Sequence, residues 1–204
     1  MGVAASLMSR RHTWLRFAAV GDPLPLALTG AGIAAGALGW QHALTELHRR
    51  WYAGTGPPQV AAVFVLQWVL QVVAHTTAYA ATTGPWRASP DGLTVALGPA
   101  LVPEVVRLTQ VVPDPGSLEP RLARAEADYR RVAEPLSRDY PAQTRIGPHA
   151  RAALVDDMWV AAAREARAAA GIVEYEVPAR DSCCLIYALP GCVECAGCPR
   201  VRRA

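Results

Sequence analysis

The chain has 204 residues, enough for one domain or for one domain with a small appendage. Its apolar content of 52% supports a substantial core, and its net charge of +3 is too small to indicate a nucleic-acid partner by itself. The cationic side chains are all arginine, which beside so much alanine reads as coding composition rather than as a binding surface. An odd number of cysteines, five in all, fits a secreted disulfide scaffold poorly and suits a reducing compartment, so a cytoplasmic protein is expected, with or without peripheral membrane attachment.

Residues 1–20 predict a first helix with Trp14 and Phe17 on its apolar side. Within it, Ser9-Arg10-Arg11 resembles a twin-arginine export signal, but Asp22, Pro23 and Pro25 interrupt the apolar run such a signal needs. Export is therefore the alternative and an ordinary helix the expectation. Gly30, Gly32 and Ala35 stand in a G-x-G-x-x-A arrangement. The prolines before it and the position of Glu46 deny it the strand and the distant acid of a dinucleotide site. Without such a site, electrons for any redox reaction come from another protein.

Residues 40–52 predict a helix, and residues 59–81 a second, more apolar one. The latter approaches the length of a bilayer span. Gln67, Gln71 and His75, however, fall at i, i+4 and i+8 on one face, which predicts a buried helix with a polar stripe and no transmembrane span. Residues 86–98 alternate around Pro90-Asp91-Gly92 and predict a β hairpin with Leu93, Val95 and Leu97 facing the core. A short helix is expected over 104–111. A longer one is expected over 117–140, kinked at Pro135, with Arg121, Arg124, Glu126, Asp128, Arg130 and Arg131 as a solvated face. Gly147-Pro148 opens a last helix that Gly171 stops, and residues 172–177 alternate as a strand would. The fold class is mainly α with a small β hairpin, divided into a body over 1–178 and a cysteine-rich motif over 179–204.

That motif holds every cysteine of the chain: Cys183, Cys184, Cys192, Cys195 and Cys198. Neighbours such as Cys183 and Cys184 do not readily form a disulfide with each other. Cys195-Ala-Gly-Cys198 is a turn of the kind that aims two sulfurs at one metal. Four ligands are wanted, and the favoured set is Cys183, Cys184, Cys195 and Cys198, with Cys192 spare. No histidine is near in sequence, so four thiolates suit zinc or an iron–sulfur cluster. A structural zinc module, thiol chemistry at Cys192 or Cys195, and a cluster carrier all stand as alternatives.

The order C-C, ten residues, C, two residues, C-P resembles the C-terminal [2Fe–2S] motif of the FhuF-type ferric siderophore reductases. The matching residues are Arg180, Cys183, Cys184, Tyr187, Pro190, Gly191, Cys195, Cys198 and Pro199. The resemblance covers about the last 25 residues. It implies a [2Fe–2S] cluster on Cys183, Cys184, Cys195 and Cys198. It also implies one-electron reduction of iron(III) in a siderophore, of hydroxamate type, by electrons from a ferredoxin or a flavoprotein reductase. In that setting Arg180, Tyr187, Arg200 and His75 are candidates to tune the cluster or dock a partner, with Arg202 and Arg203 as further tail cations. Trp68, Trp86, Trp159 and Tyr187 are candidates to line the chelate pocket.

Overall fold

A computed structural model describes residues 1–19, 21–28, 32–176, 178–195 and 197–201. Among the described residues, four helices and two small sheets surround one central helix. In chain order the elements are α1 (Gly2–Arg11), β1 (Arg16–Ala18), β2 (Leu26–Ala27), α2 (Gly32–Trp51), α3 (Pro58–Thr83), β3 (Trp86–Ala88) and β4 (Thr94–Leu97). There follow β5 (Pro103–Arg107), β6 (Val111–Pro113), α4 (Leu118–Asp139), α5 (Pro148–Ala169) and a 3-10 turn over Ile186–Ala188.

The apolar helix of the sequence is α3, and α1, α2, α4 and α5 all pack on it. It is long and apolar enough to cross a bilayer, yet most of it is buried inside the fold. Pro58 starts it where a missing N–H costs nothing. Gly84 follows its end, at a place where a Cβ would lie 2.6 Å from the Trp86 ring, so only glycine lets the chain pass. Its alanines, Ala61, Ala62, Ala74, Ala78, Ala80 and Ala81, are buried and let neighbouring helices approach closely.

The first helix is shorter than expected. It stops at Arg11, because side chains take over the backbone bonding. His12 Nδ1 accepts from Leu15 N at 3.0 Å, and Ser9 Oγ accepts from Phe17 N at 2.8 Å, folding residues 12–17 back into β1. The α1 helix carries Arg10 and Arg11 in its last turn and buries Ala4, Ala5 and Met8.

The two strands expected at 86–98 exist, but they do not pair with each other. β3 pairs antiparallel with β6, and β4 lies between β5 and β2 in a sheet of order β1-β5-β4-β2, where β1 runs parallel to β5. Leu93 and Val95 are buried as expected. The helix expected over 104–111 is instead β5 and β6. Val105, Val106, Val111 and Val112 favour extended backbone, and Pro103 and Pro113 punctuate it. No strand forms over residues 172–176, which are exposed; Val177 lies outside the described residues, as do Gly30, Arg202 and Arg203.

The α4 helix runs unbroken through Pro135. Its charged face is more than a solvated one: Arg124 pairs with Asp114, Asp128 with Arg87, and Arg131 with Asp91, all across to the strand region. Tyr129 stacks on Trp159 of α5 and donates to Val155 O at 2.8 Å. Arg151 of α5 donates to Tyr140 O and Ile146 O, serving carbonyls past the end of α4. The helical body thereby presents α3 and α5 side by side to the chain's last segment.

Candidate metal centre

The cysteine segment returns on itself. Arg180 N donates to Gly197 O at 3.3 Å, so the end of the motif lies against its beginning. Between them, Leu185 adopts a left-handed conformation (φ 62°), the 3-10 turn follows, and Cys192 N donates to Leu189 O. Cys198 N donates to Cys195 O at 3.0 Å and closes the C-x-x-C turn, with Gly197 at φ 75°. That φ explains the glycine, since L side chains resist it.

Side chains of α5 and α3 hold this loop to the body. Asp157 of α5 accepts from Ser182 N at 2.7 Å, from Asp181 N at 3.1 Å and from Ser182 Oγ. Arg180 Nε lies 3.7 Å from the same carboxylate, and Arg180 Nη2 donates to Gln67 Oε1 of α3 at 3.3 Å. Gln67 thus ties the polar stripe of α3 to the motif. Sequence reading had placed Gln67 on the correct face but missed Asp157. The available signal was a carboxylate at i+3 from Leu154 and i+4 from Ala153, two buried positions of α5.

Two of the thiols face each other directly. Cys184 Sγ is 3.6 Å from Cys195 Sγ. The Leu185 N–H, Cys198 and Cys195 all act on the Cys183 thiol. Cys184 and Cys198 are buried, 4% and 2% exposed, whereas Cys183 and Cys195 are half-buried. Burial, then the neighbouring Cys184, pushes the Cys195 thiol up to about 11 while Arg180 pulls it down. Burial likewise raises Cys183. Crowded thiols resist becoming thiolates together; a bound cation of high charge reverses this. Cys192 is turned elsewhere: it neighbours Tyr52, just past α2, and holds that phenol above its usual range.

The other candidate residues distribute as follows. Arg200 lies over the Tyr187 ring, 4.0 Å from its centroid, and its Nε is 3.7 Å from Glu194. His75 is buried against His12, Tyr79 and Trp14. Because His12 Nδ1 accepts from backbone, its proton sits on Nε2 and is donated to His75 Nδ1 at 3.0 Å. His75 then carries its own proton on Nε2, 3.9 Å from Glu165. Trp68 stacks on Trp40, and Trp159 sits on Tyr129. A cleft of about 260 Å³ beside the motif is lined instead by Val160, Arg164, Glu165, Arg180 and Asp181, among others.

The donor set meets the demands of a two-iron cluster: four sulfurs in one loop, two of them facing each other at 3.6 Å, and a backbone N–H acting on a third. Comparison with known families agrees. Residues 180–200 match the FhuF 2Fe-2S C-terminal domain. No curated protein and no solved structure matches the chain. A mainly α protein with a C-terminal thiolate site is therefore an iron–sulfur protein. Its C-terminal segment is of the FhuF type, and its cofactor is a [2Fe–2S] cluster.

Proposed function

We propose that the protein reduces iron(III) held in a siderophore of hydroxamate type, in the cytoplasm, and releases it as iron(II). The ligands in this reading are Cys183, Cys184, Cys195 and Cys198, and the cluster they hold supplies single electrons. The match of residues 180–200 to the FhuF 2Fe-2S domain carries the reading.

The chain's own residues have three tasks. Asp157, Gln67 and Arg180 hold the thiolate loop against α5 and α3. The half-buried Cys183 and Cys195 keep the loop at the surface, within reach of a chelate too large to enter the core. Arg180 offsets part of the negative charge of the thiolates, which favours the reduced state. The cleft that contains Arg180 and Asp181 is the proposed seat of the chelate. The body over 1–178 supplies most of that seat, and the motif over 179–204 supplies the rest of it and the electron. A separate protein, ferredoxin or flavoprotein reductase in type, reloads it.

The substrate chemistry needs no general base. Iron(III) is held tightly by hard oxygen donors; one electron gives iron(II), which stands low in the divalent affinity order and leaves readily. Anaerobic mixing of dithionite-reduced protein, freed of excess dithionite, with a ferric trihydroxamate tests this. One ferrous ion captured by a ferrous-specific chelator per electron stored supports the reading; no ferrous ion above a protein-free control refutes it.

A further inference from the structure

Sequence order invites a local division of four thiolates over two irons. Cys183 and Cys184 would share one, and Cys195 and Cys198 the other. The fold points another way. Across the loop, Cys184 Sγ faces Cys195 Sγ at 3.6 Å. With Cys184 and Cys195 facing each other, Cys183 and Cys198 are the two thiols of the set that remain for each other. The Arg180 N–H···O Gly197 bond and the Cys195–Cys198 turn hold the two ends of the motif in that facing arrangement. Among the described residues, no three His, Cys, Asp or Glu side chains converge as a single metal ion would require. A facing pair that joins one end of the motif to the other leaves the remaining two thiols for a second iron, since each iron takes two protein ligands.

We propose that coordination is crossed: Cys183 and Cys198 bind one iron, and Cys184 and Cys195 bind the other. This rests on the four-thiolate reading above and deepens it. Each iron receives one buried thiolate, Cys198 or Cys184, and one half-buried thiolate, Cys183 or Cys195. Neither iron is the solvent-facing one by its ligands. Each iron also bridges the beginning of the motif to its end, so losing any one thiolate loosens both ends of the loop.

Mössbauer spectra of oxidised, ⁵⁷Fe-loaded protein test the crossing, because serine changes the spectrum of the iron it binds and leaves its neighbour's ligands as they were. In Cys183→Ser/Cys198→Ser both oxygens fall on one iron, so half of the signal should keep the wild-type position and half should shift. In Cys183→Ser/Cys195→Ser each iron gains one oxygen, so no wild-type component should remain. A first variant without a wild-type component overturns the crossing. Should these variants hold no iron, chains that keep only two of the cysteines decide. Oxidation by diamide should close Cys183–Cys198 and Cys184–Cys195 at least several-fold faster than Cys183–Cys195 and Cys184–Cys198; equal or reversed rates overturn the proposal. Wild-type protein without the iron signal would sink the four-thiolate reading itself, a result that no choice of pairing produces.

Discussion

Asp157 of α5 accepts a hydrogen bond from the backbone N–H of Ser182, 2.7 Å away and 25 residues further along the chain. The residue after Ser182 is the first cysteine. A single helix carboxylate therefore sets where the thiolate loop begins. Its side chain is only 8% exposed, so water cannot easily replace it.

Substituting it should loosen the cluster before it unfolds the body. Asp157→Ala orphans the buried Ser182 N–H, a loss of about 1–3 kcal/mol. Bleaching of the iron–sulfur absorption by an iron chelator should quicken roughly tenfold or more, while far-ultraviolet circular dichroism is retained. An unchanged bleaching rate would show that the loop is held by something other than α5.

Cys192 separates the ligand set from a simple cysteine count. Its thiol neighbours Tyr52, away from the other four. Cys192→Ser should keep full iron and sulfide content. Serine at Cys183, Cys184, Cys195 or Cys198 should each lower cluster content or shift its absorption. Loss of iron in Cys192→Ser alone would reverse the assignment.

Arg180 is the cation acting on Cys195. A nearby positive charge stabilises the reduced, more negative state. Arg180→Gln should therefore lower the reduction potential, on the order of tens of millivolts, while Arg180→Lys keeps most of it. Redox titration followed by EPR measures both. A potential that rises in the glutamine variant would contradict the charge argument.

The paired histidines make stability depend on pH. Burial, then Arg16, lowers His12 to about 4, and burial, then His12, holds His75 well below its usual value. In the unfolded chain both titrate near 6.5. Between these values the unfolded state binds more protons, so stability is full above 6.5 and falls as the pH drops toward 4. Each histidine contributes up to about 1.4 kcal/mol per pH unit. Glu165, raised by burial, opposes this in part. His75→Asn keeps an acceptor for His12 and should flatten the acid limb of the melting temperature. An equally steep limb would remove His75 from the account.

Much of the helical body was legible because its signals are local. The length and apolarity of α3, the Pro148 start of α5 and the glycine that ends it need no tertiary information. The cysteine spacing was likewise sufficient to identify the motif. What failed was decided at a distance. Residues 104–111 carry a mixed pattern, and only pairing with β1, β4 and β3 makes them strands. The turn at Pro90-Asp91-Gly92 was correct, yet its flanking strands found other partners, because register depends on what covers each face. Asp157 was invisible as an anchor since its partners are backbone N–H groups of a remote loop. Gln67 was placed on the right face, but its partner Arg180 lies 113 residues away.

The most direct test is the metal content and EPR spectrum of anaerobically purified protein. The account predicts two irons and two sulfides per chain, with a spin signal that dithionite creates and a ferric trihydroxamate abolishes. A colourless protein holding zinc, or a reduced signal that persists when the ferric chelate is added, would contradict it.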